Sequence, residues 1–250
     1  MNRRFIISAA IFFGVALFLT SNQQAIGQIP NQLAQDFVAG KVPSAEDVAT
    51  YEKEAAAKPD DLQAIRKLGK AYFFQFFGAG DRSAVERARK TLERALELRK
   101  DDSETLAYLG GLHVFSGLRL YKDDAEKQKA EFDRGFAILR HVEKVGPDHG
   151  AVLAIAAASY VLLPDSYGMA PHVVEMLEGM RKGMGPYFQK FSHHGQQRIL
   201  LTLGQAYAKT GAPEKAKAAF DEALKVNETS REAGLIKAEL AKLKAQAVAN

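Results

Sequence analysis

The chain has 250 residues, 47% hydrophobic and 26% charged, a balance that suits a folded protein and not a disordered one. The formal charge is +4, with no Lys/Arg block and no basic stretch interleaved with aromatics, so a nucleic-acid ligand is not expected. Cysteine is absent, which excludes disulfides, thiolate zinc sites, iron–sulfur clusters, covalent haem and a cysteine-borne lipid anchor, and leaves packing alone to hold the fold.

In chain order, Arg3 and Arg4 precede an apolar run, Phe5 to Leu19, and Ala25-Ile26-Gly27 then offers small residues at the positions a signal peptidase reads. The run is about 15 residues, short for a bilayer span of roughly 20. Residues 1–27 are therefore expected to be a cleaved export signal, placing the protein in the periplasm or outside the cell. Any membrane attachment would come through an uncleaved signal. Residues 28–60 form an N-terminal segment, in which Ser44-Ala45-Glu46-Asp47 is a capping box that opens a helix stopped by Pro59.

Helical pairs follow. Leu68-Gly69-x-x-Tyr72 with Ala88, Leu92, Ala95 and Leu96 forms a first pair, and its turn carries Gly78, Gly80 and Asp81. Leu109-Gly110-x-x-His113 with Gly135, Leu139, Val142 and Pro147 forms a second, across a charged connection from Lys122 to Lys129. Leu153, Ala156, Ala157 and Tyr160 begin a third; after a break at Pro164 to Gly168 its second helix runs from about Ala170 to Lys182. The fourth reads Leu200-x-x-Leu203-Gly204-x-x-Tyr207, then Gly211, Ala216, Phe220, Ala223 and Leu224. Gly204 and Ala216 are small enough for two antiparallel helices to meet, Gly211 suits the turn, and Pro213 suits a first helical position. A last helix, capped by Thr229 or Ser230, has a Lys/Glu-rich outer face, as a solvating end should. No segment shows strand alternation.

The fourth pair closely resembles the tetratricopeptide repeat, departing only where Glu228 replaces the closing Pro, and the three upstream pairs are weaker copies of it. The anchor positions Gly69, Gly110, Ala157 and Gly204 are spaced 41, 47 and 47, against a family period of about 34, so three units carry insertions. The resemblance implies an all-α solenoid of about four irregular hairpins over 61–228, between terminal capping helices, the last at 229–250. It also implies a scaffold that holds a protein or peptide segment in a concave groove, and no catalysis. In the family's register the groove would be lined by Arg66, Lys70 and Phe73 of the first unit, Phe115 of the second, Val161 and Leu162 of the third, and Arg198 and Lys209 of the fourth. That wall is apolar in the middle and basic at both ends, suited to an apolar segment with anionic ends. The family's carboxylate clamp is not expected, because it wants Asn where Lys70 and Gln205 stand.

Other constellations have plainer readings. His172, Met176, Met180 and Met184 recur every fourth residue and could hold a soft metal, although gap-filling methionine explains them as well. That stripe is the only reason to expect a metal; the alternative reading is a small-molecule or metal-binding accessory to a transporter or redox system. His193-His194 are adjacent on a helix, pointing about 100° apart, and suit an end-of-helix role. The acid pairs Asp60-Asp61, Asp101-Asp102 and Asp123-Asp124 fall at helix starts, where the dipole favours them. No nucleophile elbow, zinc-protease motif, Walker loop or dinucleotide fingerprint is present, and no cofactor is expected. Tyr72-Phe73-Phe74-Gln75-Phe76-Phe77 is aromatic on every side of its helix and must be buried on several sides or meet a partner.

Overall fold

The computed structural model describes residues 42–147 and 149–249. The expected export segment, 1–27, and the residues up to 41 lie outside the described residues. Those described form ten α-helices and no strand, and no helix among them is long and apolar enough to cross a membrane.

Helix α1 (Ala45–Ala57) starts at Ser44, whose hydroxyl accepts from the Asp47 amide at 3.1 Å while Asp47 returns a carboxylate to the Ser44 amide at 2.8 Å. Four hairpins follow: α2 (Leu62–Phe74) with α3 (Ala84–Leu98), α4 (Ser103–Arg119) with α5 (Ala125–Val145), α6 (Gly150–Tyr160) with α7 (Ala170–Met184), and α8 (His193–Lys209) with α9 (Pro213–Val226). Helix α10 (Arg231–Ala249) closes the array.

The small anchor residues set the hairpin spacing. A Cβ at Gly69 would come within 2.7 Å of Leu92, and one at Gly110 within 2.8 Å of Leu139. At Gly204 it would fall inside van der Waals contact with the Phe220 ring. The three sequence-equivalent glycines thus each receive a large side chain from the second helix of their own hairpin. Gly211 takes φ +73° in the tight turn before Pro213, a region that L side chains avoid.

The first helices of successive hairpins (α2, α4, α6, α8) and α10 line the inside. Small residues bring them close: Gly111 sits where a Cβ would be 3.1 Å from Ser159 and 3.6 Å from the Phe73 ring. As a result α4 is buried on all faces from Glu104 to Gly117, and α6 is apolar but for the hydroxyls of Ser159 and Tyr160. One contiguous core runs from Val48 to Ile236. The inner wall therefore rolls up on itself. Arg231, at the start of α10, donates to the Gly78 carbonyl of the first hairpin at 3.1 Å, joining positions 153 apart.

Candidate concave pocket

The rolled wall changes what its residues can meet. Phe73, Phe115 and Val161, expected along an open groove, are 5%, 7% and 2% exposed and pack against neighbouring inner helices. Phe73 packs edge-on to Tyr108 at 5.3 Å and to Phe115 at 6.1 Å between ring centres. Arg66 and Lys70, expected as a basic end, are instead neutralised within the wall. Arg66 lies 3.0 Å from Asp102 and 3.0 Å from Glu104, and Lys70 lies 2.8 Å from Glu104. The register that placed them is the reason: the next inner helix presents its N-cap Asp102 and first-turn Glu104 at the same level. Burial pushes the Asp102 carboxyl up, but hydrogen bonds from Thr105 and the charge of Arg66 outweigh it and hold it below the ordinary range.

Lys209 is not brought to Arg198. It lies eleven positions further along α8, roughly 16 Å at 1.5 Å per residue. Its ammonium bonds the Leu163 carbonyl at 2.8 Å and Asp165 at 3.0 Å. His172 of the proposed metal stripe bonds Glu143 at 2.8 Å, and Met184 is buried in the core. Met176 and Met180 pack as partly buried core side chains. No group of three His, Asp or Glu among the described residues could hold a metal.

The aromatic run divides its faces. Tyr72 points to α1 and donates to Glu52 at 2.5 Å; burial, then that bond, pushes its hydroxyl up to about 12. Phe76 is core. Residues Gln75–Ala79 widen into a π-turn, closed by Gly80 at φ +78°. This turn swings Phe77 into the concave side, 4.5 Å from the Phe115 ring.

What remains of the groove is a cavity of about 200 Å³. Its apolar floor is Phe77, Phe115, Leu162, Leu201 and Leu235, the last 47% exposed at the mouth. Three guanidiniums surround it. Arg119 lies over the Phe77 and Phe115 rings and donates to the Phe76 and Phe77 carbonyls at 3.1 and 3.0 Å. Arg198 stacks 5.3 Å over Phe77, and Arg231 reaches Gly78. Burial pushes the Arg119 guanidinium down from its usual value, with repulsion from Arg231 added. Burial does the same to Arg198, where the charge of Glu232 opposes it and that of Arg231 adds to it.

Of the residues expected to bind, Leu162, Phe115 and Arg198 meet at this cavity. Arg119, Arg231 and Leu235 lie outside the expected lining, and Phe77 comes to it from the aromatic run. Phe77 lies in an insertion and Arg119 beyond the register. Extending that register by one family period from Arg198, Leu201 and Gln205 would have reached Glu232, Leu235 and Glu239, which line the opposite side. His194 serves the same junction, 3.1 Å from Glu232.

The tetratricopeptide repeat profile matches residues 197–230. No curated protein matches the chain. Among solved structures, TTC0263, a thermophilic tetratricopeptide-repeat protein of Thermus thermophilus, superposes with a TM-score of 0.59 at 15% identity, over 90% of this chain and 99% of that one. MamA superposes with a TM-score of 0.43 at 20% identity, over 73% of this chain and 87% of that one. A further MamA structure gives 0.43 at 18% identity, over 84% and 92%.

Proposed function

We propose that this chain, a tetratricopeptide-repeat solenoid, is an exported scaffold that holds a segment of another protein at the mouth of its concave pocket. Proteins of this fold are generally interaction scaffolds. The observation that carries the reading is that the rolled wall is not sealed: Leu235 stays 47% exposed beside Leu162 and Phe77, within a guanidinium rim. Large apolar groups left in water cost roughly 25 cal/mol for each Å² that a partner could cover. At about 200 Å³ the pocket is too small for a helix about 10–12 Å across, so the partner inserts side chains.

The export half rests on Arg3-Arg4, the short apolar run and Ala25-x-Gly27. The mass of the native protein tests it: loss of about 27 residues is expected, and an intact N-terminus recovered only with membranes would overturn it. The binding half is tested by placing a photo-crosslinker at position 235 and, as a control on another surface, at exposed Tyr187. Position 235 should give a discrete adduct that Leu162→Asp abolishes without loss of helical circular dichroism. Equal adducts at both positions, or none at 235, would overturn it.

A further inference from the structure

Among the described residues, the arginines with no carboxylate within 4 Å are Arg82, Arg119, Arg198 and Arg231. Three of the four converge on one cavity, although elsewhere nearly every guanidinium is neutralised. The cavity's own acids offset these charges only in part: the charge of Glu232 acts on Arg198, but neither Glu232 nor Glu239 pairs with any of the three guanidiniums. Glu232 is held by His194 at 3.1 Å, and Glu239 by Gln205 and Lys242, each at 3.1 Å.

Arg198 is the most informative of the three. It is half-buried and stacked on Phe77, and its side chain donates no hydrogen bond to any described residue. A guanidinium carries five donors in a fixed plane that matches a carboxylate with two parallel bonds. Three guanidiniums against the two carboxylates Glu232 and Glu239 leave the lining positive, which costs free energy in the empty site, and an anion would relieve that cost. The floor supplies the second half of the signature, because Phe77, Leu162 and Leu201 present rings and methyls next to the cations.

Resting on the scaffold reading, we infer that the partner's anchor is one large apolar side chain with a carboxylate beside it, the apolar group seated on Phe77 and Leu201 and the carboxylate on Arg198. The volume of about 200 Å³ accommodates such a pair and little more. Arg231, which already ties α10 to the first hairpin, would hold the carboxylate from the other side.

The test uses 4-phenylbutyrate, its uncharged amide and butyrate as probes of the full-length mature protein, read by calorimetry. The acid should bind, the amide roughly tenfold more weakly, and butyrate not measurably, since a charge-assisted pair and ring burial are each worth about a factor of ten or more. Arg198→Gln should reduce acid binding to the level of the amide and leave amide binding unchanged, and Arg198→Lys should restore part of the difference. Arg231→Gln supplies a second variant should the first lose its fold. Equal binding of acid and amide, or an equal loss of both in Arg198→Gln, would overturn the inference. Phenylbutyrate should also suppress the adduct at position 235. An adduct indifferent to phenylbutyrate would overturn the inference and leave the scaffold reading standing. Selective acid binding with no adduct at all would overturn both the scaffold reading and the protein source of the anchor, leaving a site for a free amphiphilic acid.

Discussion

Single residues carry much of the fold's precision. Gly204 has no room for even one carbon against Phe220, which is fully buried. Gly204→Leu is expected to lower stability by about 1–3 kcal/mol or more through overpacking, seen as a lower melting temperature; an unchanged melt would refute the hairpin register. Asp102 combines two tasks. It caps α4, accepting from the Thr105 amide at 3.0 Å and hydroxyl at 2.6 Å, and it pairs with Arg66. Its carboxyl is held below the ordinary value, so its stabilising effect is complete above about pH 4 and is lost as pH falls through the depressed value. Asp102→Asn keeps a cap acceptor and removes the charge. Its melting temperature should therefore fall less steeply than the wild type's between pH 5 and the acid limit, and parallel curves would show that Asp102 has no part in the acid response.

At the level of elements, α10 does more than solvate the end. One face is core: Ile236 and Ala233 are buried, and Glu232 pairs with His194 of α8. The adjacent face presents Leu235 to the cavity. Neighbouring residues should therefore behave oppositely. Ile236→Asp places a charge in apolar packing and should destabilise by several kcal/mol, detaching the helix. Leu235→Asp should leave the melt within about 0.5 kcal/mol of wild type. Similar losses in the two variants, by denaturant titration, would mean that α10 is packed in another orientation. The π-turn at Gln75–Ala79 has a comparable double role, since it seats Phe76 in the core and turns Phe77 to the cavity.

At the scale of the molecule, the Arg231–Gly78 contact, with Arg198 stacked over Phe77 beside it, joins the two ends of an array whose main helix–helix interfaces run between neighbours. Repeat arrays ordinarily open from their ends, with coupling only to adjacent units. Arg231→Ala should therefore speed amide exchange at 75–80 as well as at 231–236, with the amides of α4 and α6 unchanged. Acceleration confined to 231–236 would show that the ends are not coupled.

The sequence by itself determined the helices, their hairpin pairing and the glycines between them, because those depend on 3.6-residue periodicity, caps and steric size over short separations. Leu-Gly-x-x-Tyr and its copies encode contacts such as Gly204 with Phe220 directly. The curvature of the array was decided only in three dimensions. It accumulates from the packing of Gly111, Ala154 and Ala158 between successive inner helices and from insertions that no periodicity describes. For that reason Arg66 and Lys70 ended in ion pairs with the next helix, and Phe73 and Val161 in the interior. Arg119, Arg198 and Arg231, far apart in the chain, came to surround one apolar cavity because convergence across an array depends on the summed angle of every interface.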